Sequence, residues 1–110
     1  MNNIQLLKNM EFGRAPEGEK NREMTEIFNG PRRQIIQVNL RNSEILAKHT
    51  ANEPITVLCL AGNGKFRAGT NLEDEQLLTA GTFLTLAAKI AHEVIAEPEL
   101  SILVTKFKAE

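Results

Sequence analysis

At 110 residues the chain amounts to one domain, long enough to bury a core without disulfide or metal staples. A formal net charge of −1 and the absence of Trp and Tyr exclude a phosphate-backbone binder built on base-stacking platforms, and globular apolar content excludes disorder. Cys59 is the single cysteine, so an internal disulfide is ruled out; with no signal-type N-terminus and no apolar run of roughly 18 residues, a cytoplasmic protein without a membrane partner is expected.

Residues 1–31 read as an N-terminal arm with one strand, and residues 32–110 as a β-barrel. Within the arm, Gly13-Arg-Ala-Pro-Glu-Gly18 is a turn-rich connector. Leu6, Leu7, Met10 and Phe12 are apolar, which predicts that the arm packs on the barrel or on a partner subunit. Arg22 to Phe28 reads as a strand ended by the breakers Asn29-Gly30-Pro31. Gln34 to Leu40 alternates, with Ile36, Val38 and Leu40 on one face, the period-two mark of a half-buried strand.

Glu44 to His49 is a short extended segment, and Pro54 to Ala61 a nearly continuous apolar strand. Gly62-Asn63-Gly64 predicts a type I′ hairpin with Lys65 to Ala68 as its return strand. Glu75 to Leu78, Thr82 to Ala87, His92 to Ala96 and Leu100 to Lys106 complete a set of eight or nine short strands. Thr85 to Ala96 is rich in helix formers, but the extended segments on both sides favour a β meander. The spacing predicts an all-β fold, an antiparallel sandwich or barrel.

The chain holds two histidines, His49 and His92, each beside a strand. Imidazole is the commonest protein metal ligand and the usual proton carrier near neutral pH, so two of them converging from separate strands would make a site. Cys59 shares the odd-numbered face of its strand with Ile55 and Val57. It reads as a small buried hydrophobe rather than a nucleophile, since no charge that would lower its pKa sits nearby in sequence. Arg32-Arg33 could hold an anion at the barrel mouth, although arginines beside a turn are more often a solvated face. Gly62-Asn-Gly-Lys65 fails as a phosphate loop, because Cys59 stands at the first glycine and Phe66 where Ser or Thr would bind magnesium.

These residues resemble the cupins, a family of small double-stranded jelly-roll barrels. The family's second motif runs glycine, five residues, proline, any residue, glycine, two residues, histidine, three residues, asparagine. Gly81 and His92 have its glycine-to-histidine spacing, with Ala87, Lys89 and Ala96 replacing the proline, second glycine and asparagine. Counting back from Gly62 in the first motif, His49 takes the place of the first histidine, Ala51 of the second, Ile55 of the glutamate and Ser43 of the opening glycine. In a second register His49 stands at the second histidine, Ala47 at the first and Glu53 at the glutamate. Odd-numbered positions share one strand face, so parity cannot separate the two registers.

The resemblance implies an antiparallel jelly-roll barrel with a cavity lined by His49, Ala51, Ile55, Val57, Cys59, His92 and Val94. The first reading is a small-organic-ligand binder with weak or absent metal. The second is a metal-dependent enzyme (Fe, Mn, Ni or Zn) of oxygenase or isomerase class, with His49, Glu53 and His92 as the facial donor set. The third is a structural or interaction module with a vestigial cavity. No catalytic residue is assigned. A homodimer is expected, with Ile4 to Phe12 crossing to the partner.

Overall fold

The computed structural model describes residues 3–11 and 18–109, and every regular element in it is a strand. In chain order these are β1 (Arg22–Asn29), β2 (Arg33–Leu40), β3 (Ile45–His49), β4 (Ile55–Ala68), β5 (Asp74–Thr79), β6 (Phe83–Leu86) and β7 (His92–Phe107). All pairings are antiparallel. The architecture is the antiparallel jelly roll that the cupin resemblance implies.

Two long strands build it. The first half of β4 and the second half of β7 lie side by side, flanked by β6 on one side and by β2 and β1 on the other. The second half of β4 and the first half of β7 pair again farther along, now flanked by β5 and β3. Both long strands therefore run through both layers. The layers close on one core that includes Val38, Leu40, Val57, Phe66, Val94 and Ile102.

The hairpin expected at Gly62-Asn63-Gly64 is absent, and β4 runs straight through it. A type I′ turn needs positive φ at Asn63 and Gly64. Here positive φ falls on Gly62 instead, at 84°. The segment is a bulged corner, with register shifts against β7 between Cys59 and Ala61 and again between Gly62 and Gly64. The shift reverses parity. Ile55, Val57 and Cys59 face the core before it, and Gly64, Phe66 and Ala68 after it.

The two glycines serve close approach. A Cβ on Gly62 would lie 2.2 Å from the Glu99 carbonyl oxygen, and one on Gly64 2.4 Å from that of Ile95. His92–Ala96 and Leu100–Lys106 likewise join into β7, so seven strands are found among the described residues where eight or nine were expected. The helix-forming stretch is strand, turn and strand: Lys89 turns the chain with φ of 66°, its N–H bonds the Ala51 carbonyl at 2.8 Å, and His92, Val94 and Ala96 alternate into the core. Tertiary pairing overrides alanine propensity there.

The strand of the N-terminal arm is hydrogen-bonded to β2 as the outer edge of the first layer. Residues 3–11 lie without regular structure along the outer face of that layer, where the Gln37 side-chain amide donates to the Glu11 carbonyl at 2.8 Å. Beneath them Ser101 Oγ donates to Asn39 Oδ1 at 2.6 Å, which satisfies a buried polar pair. Phe12, the end of the predicted crossing segment, lies outside the described residues.

Candidate functional site

A cavity of about 320 Å³ opens between the layers. Its inner wall is apolar, formed by Val38, Ile55, Val57, Phe66, Val94 and Ile102. Its mouth is polar, with Thr50, Asn52 and Glu53 of the β3–β4 loop, together with Lys106. Side chains of both layers contribute, so the pocket is a consequence of the closure and not of any one element.

The register of β3 against β7 places His49 directly opposite His92. Their ring centroids are 4.2 Å apart at an interplanar angle of 61°, an edge-to-face contact. His92 is 4% exposed and its ring lies parallel to Phe66, 5.6 Å between centroids. His49 is exposed at the mouth.

The two imidazoles are tethered alike. Nδ1 of His49 bonds the Ala47 carbonyl at 2.7 Å, and Nδ1 of His92 bonds the Ile90 carbonyl at 3.0 Å. A carbonyl only accepts, so each Nδ1 carries the proton, and each neutral ring keeps Nε2 as an acceptor. Burial holds the His92 imidazole below its ordinary value of 6.5; the Ile90 hydrogen bond opposes this, and repulsion from His49 and Lys106 adds to it.

No sequence-family profile matches the chain and no curated protein is significantly similar to it. Solved structures do match. A cupin superfamily protein from Desulfitobacterium hafniense superposes with a TM-score of 0.79 at 15% identity, over 96% of this chain and 100% of that one. An RmlC-like cupin from Desulfovibrio desulfuricans gives 0.73 at 19% identity, over 97% and 96%. A conserved protein of unknown function from Streptococcus pyogenes gives 0.76 at 15% identity, over 99% of each chain. The chain has the cupin fold.

Backbone geometry fits the cupin register counted from Gly62. The four glycine positions of the motifs, in the register counted from Gly62, are Ser43, Gly62, Gly81 and Lys89. Their φ angles are 56°, 84°, 91° and 66°. Two side-chain-bearing residues thus keep the left-handed conformation that the cupin glycines would supply. The other register would begin at Arg41, which is not in that region.

Ile55, 3% exposed and apolar, offers the cavity wall no carboxylate. Glu53 sits at the mouth instead, and among the described residues no three His, Cys, Asp or Glu side chains converge on a point that could hold a metal ion. The facial donor set of His49, Glu53 and His92 is therefore not assembled. Two imidazoles are fewer ligands than a catalytic zinc or non-haem iron takes, so the donor set does not fit the metal of the second reading.

His49, Ala51, Ile55, Val57, His92 and Val94 line the cavity; Cys59 does not. Cys59 points into the packed core next to the corner, 1% exposed, with its Sγ 3.6 Å from the Ala61 carbonyl. Burial pushes its thiol upward, with the Ala61 contact opposing, as suits an inert hydrophobe. Arg32 and Arg33 are not at the mouth either, and the Arg33 guanidinium rests 4.3 Å over the Phe28 ring. Sequence reasoning missed Lys106. Its signal was present: Ile102, Val104 and Lys106 alternate, which places a lysine on the apolar face of a strand.

Proposed function

We propose that this cupin-fold protein binds a small organic molecule in the cavity between its layers, with the two histidines as polar anchors and without a tightly held metal. The observation that carries this reading is an open volume of about 320 Å³ that the core side chains leave unfilled. It lies at the lower end of the range typical of ligand sites. At about 30 Å³ per water, it equals on the order of ten waters, room for a compact ligand.

Apolar walls with a few convergent polar groups are the usual composition of such sites. A vestigial cavity would be expected to have collapsed, because voids in a core cost stability. The metal-enzyme reading has less support, since among the described residues no third His, Cys, Asp or Glu joins the two histidines in a group that could hold a metal ion.

The test uses untagged protein in two measurements. Scanning fluorimetry against small acids, alcohols and amides is expected to find compounds that raise Tm saturably, by about 2.7 kcal/mol of stabilisation at a ligand concentration of ~100 Kd. Ala51→Phe, which narrows the cavity, should abolish that rise. Elemental analysis is expected to find well below one equivalent of Fe, Mn, Ni or Zn. A stoichiometric metal lost in His92→Ala would replace this reading with the enzymatic one, and a flat compound screen would end it.

A further inference from the structure

The cavity contains a cation that has no counter-ion among the described residues. Lys106 lines the pocket from β7, where its backbone lies between Ile55 of β4 and Gln34 of β2. Among the described residues its side chain makes no ion pair and no hydrogen bond. Glu53, the acidic residue of the lining, is not within ion-pair distance of it. A half-buried ammonium beside apolar walls loses hydration and is stabilised only when an anion or hydrogen-bond acceptor replaces the water.

The opposite layer carries the complementary chemistry. His49 and His92 both spend their Nδ1–H on backbone carbonyls, so what they present to a ligand is two Nε2 acceptors. Val57, Val94, Ile102 and Val104 line the same cavity with apolar side chains. The cavity thus combines an ammonium, apolar walls and hydrogen-bond acceptors.

Resting on the small-ligand reading above, we infer that the occupant is a compact carboxylic acid with an apolar body and a hydroxyl or N–H donor in addition to the carboxylate. The carboxylate pairs with the Lys106 ammonium, the body fills the valine-lined centre, and the donor bonds Nε2 of the histidine pair. A hydrophobic amine is disfavoured by the same layout, because its charge would face Lys106 without an acid to shield it.

Isothermal titration of the wild-type protein with three probes separates the contributions: 4-hydroxyphenylacetate, phenylacetate without the donor, and 4-hydroxyphenylacetamide without the charge. The first is expected to bind at least about tenfold more tightly than either of the others. Lys106→Met should remove the preference for acid over amide while leaving amide affinity unchanged, which a merely destabilised fold would not do. His49→Phe, at the exposed ring, should remove the preference over phenylacetate. Glu53→Gln should tighten binding of both acids. Equal affinity for acid and amide in the wild type overturns the proposal and leaves the small-ligand reading standing. So does failure of all three probes when uncharged compounds raise Tm. Failure of every compound overturns both.

Discussion

His92 is where packing and chemistry meet at the scale of one residue. Its ring is clamped between Phe66 and His49, and its Nδ1–H is held by the Ile90 carbonyl. Burial lowers its proton affinity below the ordinary 6.5, so the unfolded chain takes up a proton at a higher pH than the folded protein does. The contribution to stability is therefore complete above about 6.5 and is lost as pH falls from there through the folded pKa. Thermal denaturation should give a lower Tm at about pH 5.5 than at about pH 7.5, and His92→Gln should flatten that difference. An unchanged pH slope in the variant would refute the assignment. The carboxylates lose stabilisation in the same acid range, which is why the comparison with the variant, and not the wild-type slope alone, decides.

At the scale of an element, the corner of β4 carries the fold. Asn-Gly between two apolar runs has the chemistry of a tight hairpin, and on local grounds alone it reads as one. What overrides it is pairing: β7 supplies a partner along the whole of β4, and its carbonyls at Ile95 and Glu99 press on the places where a side chain would be. Gly62→Ala distinguishes the two geometries. Before a type I′ turn the position accepts alanine freely, whereas at this corner alanine meets both a left-handed φ and the Glu99 oxygen. Urea unfolding should show a loss of more than about 2 kcal/mol. A loss below about 0.5 kcal/mol would mean that β4 and β7 do not cross there.

For the whole molecule, the outer face of the first layer is the part left unexplained by a single chain. Leu103, Leu58 and Phe83 form one row across β7, β4 and β6, ending on Phe83 at 61% exposure. The same row begins at Gln37, which holds the N-terminal arm, and Ile4 and Leu6 of that arm are 76% and 71% exposed. We propose that the homodimer expected from the sequence covers the exposed apolar side chains of this sheet face and of the arm. Sedimentation equilibrium at micromolar concentration should give about twice the 12.2 kDa chain mass, and Phe83→Glu should return it to the monomer. A wild-type monomer under those conditions would dismiss the dimer and leave the arm without a partner.

The sequence by itself determined the all-β class, most strand positions and the cupin likeness, because period-two alternation and the spacing of His49 and His92 from Gly62 and Gly81 are written in local order. It also identified most of the cavity wall, since residues on one face of a strand share one side of the sheet. Only the tertiary structure decided that Gly62 is a corner, that Ser43 and Lys89 take a left-handed φ, that Glu53 joins no metal-holding group, and that Lys106 lines the cavity. Each of these depends on which distant strand lies alongside, and strand pairing across forty or more positions is set by closure of the layers, which no window of neighbouring residues encodes.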